Sequence, residues 1–158
     1  MISITIALDN IRSHHNVGAI FRSADAFGIK EVILGGITPR PPHRDIQKSA
    51  LGATESVPWS YTDHLVDRLL HLKSKGFKIF AVEQAQSSIP LNSVREAIGD
   101  CCLIFGNEVN GVAPAILELC DHIIEIPQMG MKKSLNVSVC AGIVMFYLNH
   151  GMDLPKDS

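Results

Sequence analysis

The chain has 158 residues, 46% of them hydrophobic and 19% charged, which suits one globular domain with a sizeable core and excludes a disordered or fibrous protein. Its net charge of −2 supplies no global attraction to nucleic acid, so any RNA contact must come from a local cluster of Lys and Arg. Four cysteines, Cys101, Cys102, Cys120 and Cys140, lack both a CxxC pair and zinc-ligand spacing, and read as reduced, packed thiols in a cytoplasmic protein with no metal.

In chain order, Met1 to Leu8 reads as a strand and has neither the basic end nor the long apolar stretch of a signal peptide. Ile2, Ile4 and Ile6 alternate with small or polar residues. Val17, Ile20, Phe21, Ala24 and Phe27 then repeat at helical spacing and stop at Gly28. Further apolar runs at Val32 to Leu34, Ile79 to Val82, Leu103 to Phe105 and Ile123 to Ile126 bring the candidate strands to five. A second helix covers Leu65 to Leu72 and ends near Gly76. Strand and helix alternate, which predicts an α/β fold with a mainly parallel sheet and helices on both faces. Residues 1–150 are expected to form one domain, with 151–158 as a C-terminal tail.

Between Gly35 and Ala53 lies the longest irregular stretch, with Pro39, Pro41 and Pro42 ahead of a short helix candidate near Asp45 to Ser49. Long loops in compact domains often carry function, and Arg40, His43, Arg44 and Lys48 make this the best basic patch available. A solvated loop with scattered charge is the bland reading. The last helix, from Leu135 through Val137, Val139, Ile143, Val144, Met145, Phe146 and Leu148, is apolar nearly all round and too short to span a bilayer comfortably. A sheet covers one face of such a helix, so a second copy of the chain is the expected cover for the other; full enclosure within one chain is the alternative.

Three polar, glycine-containing segments fall near strand ends, where ligands of open α/β sheets usually sit. The first, Asn16 to Arg22, opens the first helix; Arg22 points away from the apolar face, and an isolated surface Arg loosely paired with Asp25 is the default. Asn16 could cap that helix. Gly106-Asn107-Glu108-Val109-Asn110-Gly111, the second, suits a tight turn bringing backbone close to a ligand; it is not a P-loop, and no GxGxxG occurs. The third runs from Ile126 to Ser138, with Ser134 as an N-cap candidate and Asn136 and Ser138 inside the apolar helix, where their polar groups need partners.

Taken in order, His15-Asn16-Val17-Gly18-Ala19-Ile20 with Arg22 and Gly28, Gly106-Asn107-Glu108 with Gly111, and Ile126-Pro127 with Gly130 and Ser134-Leu135-Asn136-Val137 resemble the motifs of the SpoU/TrmH family of RNA ribose methyltransferases, in the SPOUT superfamily. The resemblance implies a deep C-terminal trefoil knot, which sequence physics would not propose, and a homodimer with active sites at the subunit interface. It implies an S-adenosylmethionine-dependent RNA 2′-O-ribose methyltransferase with Asn16, Arg22, Glu108, Ser134 and Asn136 in the catalytic set. Gly106, Ile126, Leu135, Met129, Ser134 and, as a weaker guess, Glu83 would bind the cofactor. Arg12, Arg40, Arg44, Lys48, Lys132 and Lys133 would hold RNA phosphates. Gln128 and Val109 depart from the family pattern without removing a polar group the reaction needs. No extra RNA-gripping terminal segment is read, so the chain would be near a minimal catalytic domain, with a compact tRNA as the expected substrate and rRNA as the alternative. A non-catalytic RNA-binding protein of this fold, and a flavodoxin-like nucleotide binder, are the competing readings.

Overall fold

The computed structural model describes residues 2–94 and 99–150; the predicted tail at 151–158 lies outside them. Seven strands form one sheet in the order β3-β2-β1-β6-β4-β7-β5, with every pair of strands parallel. They are β1 (Ile4–Asp9), β2 (Glu31–Gly35), β3 (Trp59–Thr62), β4 (Lys78–Val82), β5 (Ile89–Pro90), β6 (Cys101–Gly106) and β7 (His122–Glu125). All five predicted strands are present. The two unpredicted ones, β3 and β5, are the sheet's edges, where a strand has one neighbour and carries little apolar signal.

The alternation read in β1 does not mark a half-exposed strand. All six residues of β1 are buried because it lies inside the sheet, between β2 and β6, with both faces covered. Ile6 and Leu8 join the core formed with helices α1 (His14–Ala26), α2 (Arg44–Ala50), α3 (Ala53–Ser56) and α6 (Val137–His150). Ala7 joins the opposite core, under α4 (Leu65–Ser74) and α5 (Pro114–Leu119).

Helix α1 packs on α2 at very short range. A Cβ built on Gly18 would stand 2.1 Å from Ser49 Oγ and 2.3 Å from the Ile46 carbonyl oxygen, so only glycine fits there. Helix α6 buries Ala141, Val144, Met145 and Leu148 and leaves Val139, Ile143 and Phe146 exposed on its other side. The helix thus keeps a partly exposed apolar stripe, as its composition predicts, with Phe146 set edge-on to Phe27 at 5.7 Å.

Two capping assignments change. Ser13, not Asn16, caps α1: its Oγ accepts from the Asn16 backbone N–H, and Asn16 is itself a buried residue of the first turn. At α6 the cap is Asn136 rather than Ser134. Its Oδ1 accepts from the N–H groups of Ser138 at 2.9 Å and Val139 at 3.3 Å, and from the Ser138 hydroxyl at 2.5 Å. The polar pair that looked out of place inside an apolar helix is therefore its N-terminal closure.

Candidate active site

The carboxyl ends of β4, β6 and β7 and the start of α6 enclose a cavity of about 450 Å³. Its wall includes Val82, Phe105, Ile126, Leu135 and Val137 on the apolar side and Glu83, Gln84, Glu108, Glu125, Lys133 and Asn136 on the polar side. The size and the mixed lining are those of a small-molecule site, for which roughly 300–1,000 Å³ is usual. Of the predicted cofactor residues, Glu83, Gly106, Ile126, Ser134 and Leu135 line it. Met129 does not; its side chain is fully exposed.

The loop between β6 and α5 is closed on itself. Asn107 and Gly111 form an antiparallel bridge, and a Cβ on Gly106 would stand 2.3 Å from the backbone of Gly111 and Val112. Asn107 Oδ1 accepts from the N–H groups of Val109 and Asn110, while its Nδ2 donates to the Asn10 carbonyl at 2.7 Å. Glu83 accepts the Val112 N–H at 2.9 Å from the neighbouring strand end. Glu83 is thus not an unengaged surface glutamate: one of its oxygens holds the loop, and the residue lines the cavity.

Glu108 ties this loop to the first motif. Its carboxylate accepts the backbone N–H groups of Arg12 and Ser13 at 3.1–3.2 Å and the Asn16 Nδ2 at 3.4 Å. Burial is the largest single influence on this carboxyl and raises its pKa, but these donors together outweigh it and hold the group below the usual carboxylate range. Asn16 Oδ1 in turn accepts from Asn136 Nδ2 at 3.2 Å. Asn136, Asn16 and Glu108 form one chain of hydrogen bonds that joins all three motifs, and its two outer members line the cavity.

Arg22 stands apart. It is exposed on α1, does not line the cavity, and makes no ion pair with Asp25, whose carboxylate accepts from Ser56 instead. The cations assigned to RNA are dispersed. Arg40 stacks over Tyr61 at 4.0 Å, and Arg44 and Lys48 both lie near the Asp45 carboxylate, at 3.8 and 3.5 Å. Arg12 and Lys132 are exposed, and Lys133 lines the cavity. Gln84, Glu125 and Cys140 are cavity residues that sequence reasoning did not select. Burial pushes the Cys140 thiol up to about 11, so it remains a neutral wall group at ordinary pH.

The SpoU rRNA Methylase family model matches residues 3–146. The chain belongs to that family. It is 30% identical over 160 residues to the tRNA (guanosine(18)-2′-O)-methyltransferase of Escherichia coli K12, covering 98% of this chain and 69% of that one. It is 34% identical to the 23S rRNA (guanosine-2′-O-)-methyltransferase RlmB of Vibrio vulnificus, over 90% of this chain and 57% of the relative. An AdoMet-bound rRNA methyltransferase from Sinorhizobium meliloti superposes with a TM-score of 0.88 at 26% identity, over 97% of this chain and 57% of that chain. The SpoU-family chain therefore spans a little over half to about two thirds of the length of these relatives.

Proposed function

We propose that the protein transfers the methyl group of S-adenosylmethionine to a ribose 2′-oxygen of RNA, with tRNA as the substrate. The observation that carries the reading is the Asn136–Asn16–Glu108 chain, which fastens all three family motifs around a cavity of cofactor size. The residues fit the cofactor. Ile126, Leu135, Val82 and Phe105 offer apolar walls to an adenine ring, and backbone around the crowded Gly106 can approach it closely. Glu83, Glu125 and Gln84 offer acceptors for hydroxyl and ammonium groups. When bound, the cofactor supplies an already electrophilic methyl, so the protein's share of catalysis is to position the ribose oxygen and stabilise its developing charge.

Arg22 would do the second of these tasks. A guanidinium does not give up its proton at neutral pH, so its role is to clamp the phosphate beside the target ribose and stabilise negative charge, not to act as a neutral base. Because Arg22 does not reach the cavity of its own subunit, the proposal includes a homodimer. A second copy would cover the stripe of Val139, Ile143 and Phe146, and Arg22 would enter the partner's site. Asn16 and Asn136 would orient the target nucleotide, with Ser134 ordering the loop beside them. Arg12, Arg40, Arg44, Lys48, Lys132 and Lys133 would hold phosphates. The trefoil knot and a cytoplasmic location complete the proposal. Among the described residues, no helix is long and apolar enough to cross a membrane, and no group of three or more metal-ligating side chains is placed to hold an ion.

The test is transfer of labelled methyl from S-adenosylmethionine to separate tRNA and rRNA pools, including unmodified transcripts, followed by digestion to nucleosides. Label in a 2′-O-methylnucleoside of tRNA, lost in Arg22→Ala, is the expected result. Label only in rRNA would move the substrate to the class of the RlmB relative, and label on a base would overturn the ribose assignment. No label with cofactor binding intact would favour a non-catalytic RNA-binding protein.

A further inference from the structure

Asp9 is the one acidic residue among the buried polar side chains of the described chain, 5% exposed at the end of β1. A buried carboxylate is costly, and burial pushes its pKa up despite a hydrogen bond from Ala113. Stability alone gives no reason to place an acid here. Its contacts do. In the β1–β6 ladder Asp9 is the register partner of Gly106, where the cavity loop begins. Its Oδ2 accepts the Ala113 N–H at 2.8 Å, where the same loop ends. The Asp9 backbone thus pairs beside the start of the loop while its side chain holds the end, and Glu83 holds the adjacent amide of Val112 from the other side of β6.

We propose that Asp9 is a positioning residue for methyl transfer: by fixing Ala113 against the end of β1, it holds the Gly106–Ala113 loop in the shape that receives the cofactor. The residue touches neither cofactor nor RNA and acts only through the loop. The inference rests on the cofactor reading above and deepens it.

Asp9→Asn and Asp9→Leu separate this role from a purely structural one. For an acid whose pKa is raised on folding, the folded state binds more protons between the two pKa values. Stability therefore falls as pH rises through that window, and the ionised group costs stability at neutral pH. Asp9→Asn keeps an acceptor without the charge, so its melting temperature should equal or exceed that of the wild type. Its KM for S-adenosylmethionine should rise about threefold to tenfold, with kcat at saturating cofactor within about twofold. Asp9→Leu, which has no acceptor, should raise KM further. In the wild type, cofactor affinity should fall on acidification through the raised Asp9 pKa, and Asp9→Asn should flatten that profile. A lowered melting temperature with unchanged KM and an unaltered pH profile would overturn the proposal and leave Asp9 as ordinary scaffold. Calorimetry of the wild type with S-adenosylmethionine keeps the two readings apart: no binding there overturns the cofactor reading itself, whereas wild-type binding matched by both variants overturns only the role of Asp9.

Discussion

Replacing Gly18 with alanine places one methyl group where the structure has no room. The new Cβ would meet Ser49 Oγ at 2.1 Å, the Ile46 carbonyl oxygen at 2.3 Å and the Ala50 nitrogen at 3.0 Å, so the side chain of Ser49 and the backbone of α2 must both move. Rotating Ser49 sacrifices its 2.8 Å hydrogen bond to the His15 carbonyl, a loss of about 1 kcal/mol. Pushing α2 away from α1 adds an overpacking cost of about 1–3 kcal/mol. Together these give about 2–4 kcal/mol, and at about 2–4 °C per kcal/mol for a domain of this size the melting temperature should fall by about 4–16 °C. Thermal unfolding followed by circular dichroism measures it. The double variant Gly18→Ala/Ser49→Ala should recover part of the loss, because the nearest obstructing atom is then absent, and the two changes should be non-additive. A Gly18→Ala protein that melts within about 1 °C of the wild type would refute the close packing of α1 on α2.

Glu108→Gln should lower kcat by at least about tenfold, because an amide group would be turned toward the donors of Arg12, Ser13 and Asn16 and the link between motifs would loosen; steady-state methylation measures it. The carboxyl's pKa is depressed on folding, so the stabilisation it brings is present above the unfolded pKa and is lost as pH falls through the lower folded value; the variant should lack that acid limb in pH-dependent unfolding. Asn136→Ala removes the cap of α6 and should cost about 1 kcal/mol of stability as well as activity. Cys140 should react with thiol reagents about tenfold faster for each pH unit until pH approaches 11, and bound S-adenosylmethionine should slow that labelling because Cys140 lines the cavity.

Much of the fold is legible because a parallel sheet buried on both faces writes itself as short apolar runs separated by helical periods. β2, β4, β6 and β7 show this directly. The edges β3 and β5 do not, because Trp59-Ser60-Tyr61-Thr62 and Ile89-Pro90 are only partly covered and bear no run to recognise. The site was legible as three segments, yet their junction was not. Asn16, expected in the catalytic set with helix capping as the plain alternative, is buried and bridges Glu108 and Asn136 across 92 and 120 residues of chain, which no local pattern reveals. Asp9 escaped for a similar reason. One acid closing an apolar strand resembles the ordinary polar end of a strand, and its value lies in the amide it meets 104 residues later.

The sheet order explains why three weak segments make one site. The chain lays down β1, β2 and β3 outward to one edge, crosses to start β4, and only later inserts β6 between β1 and β4. The loop leaving β6 is therefore flanked by the end of β1 on one side and the end of β4 on the other, and it is from those two ends that Asn10 and Glu83 accept its hydrogen bonds. β7 pairs on the far side of β4, so the segment that leaves β7 must pass back over the carboxyl ends of β4 and β6 before α6 can pack against α1. That return brings Leu135 and Asn136 over the cavity and Asn136 to Asn16. Had β6 been added at an edge, at least two other strands would have stood between it and β1, a separation of about 14 Å at about 4.8 Å per strand, and Glu108 could not have reached the amides of Arg12 and Ser13. The position of β6 is thus the structural condition for the site, and substitutions that weaken its seating at Asp9–Gly106 should act on cofactor affinity before they act on the rest of the fold.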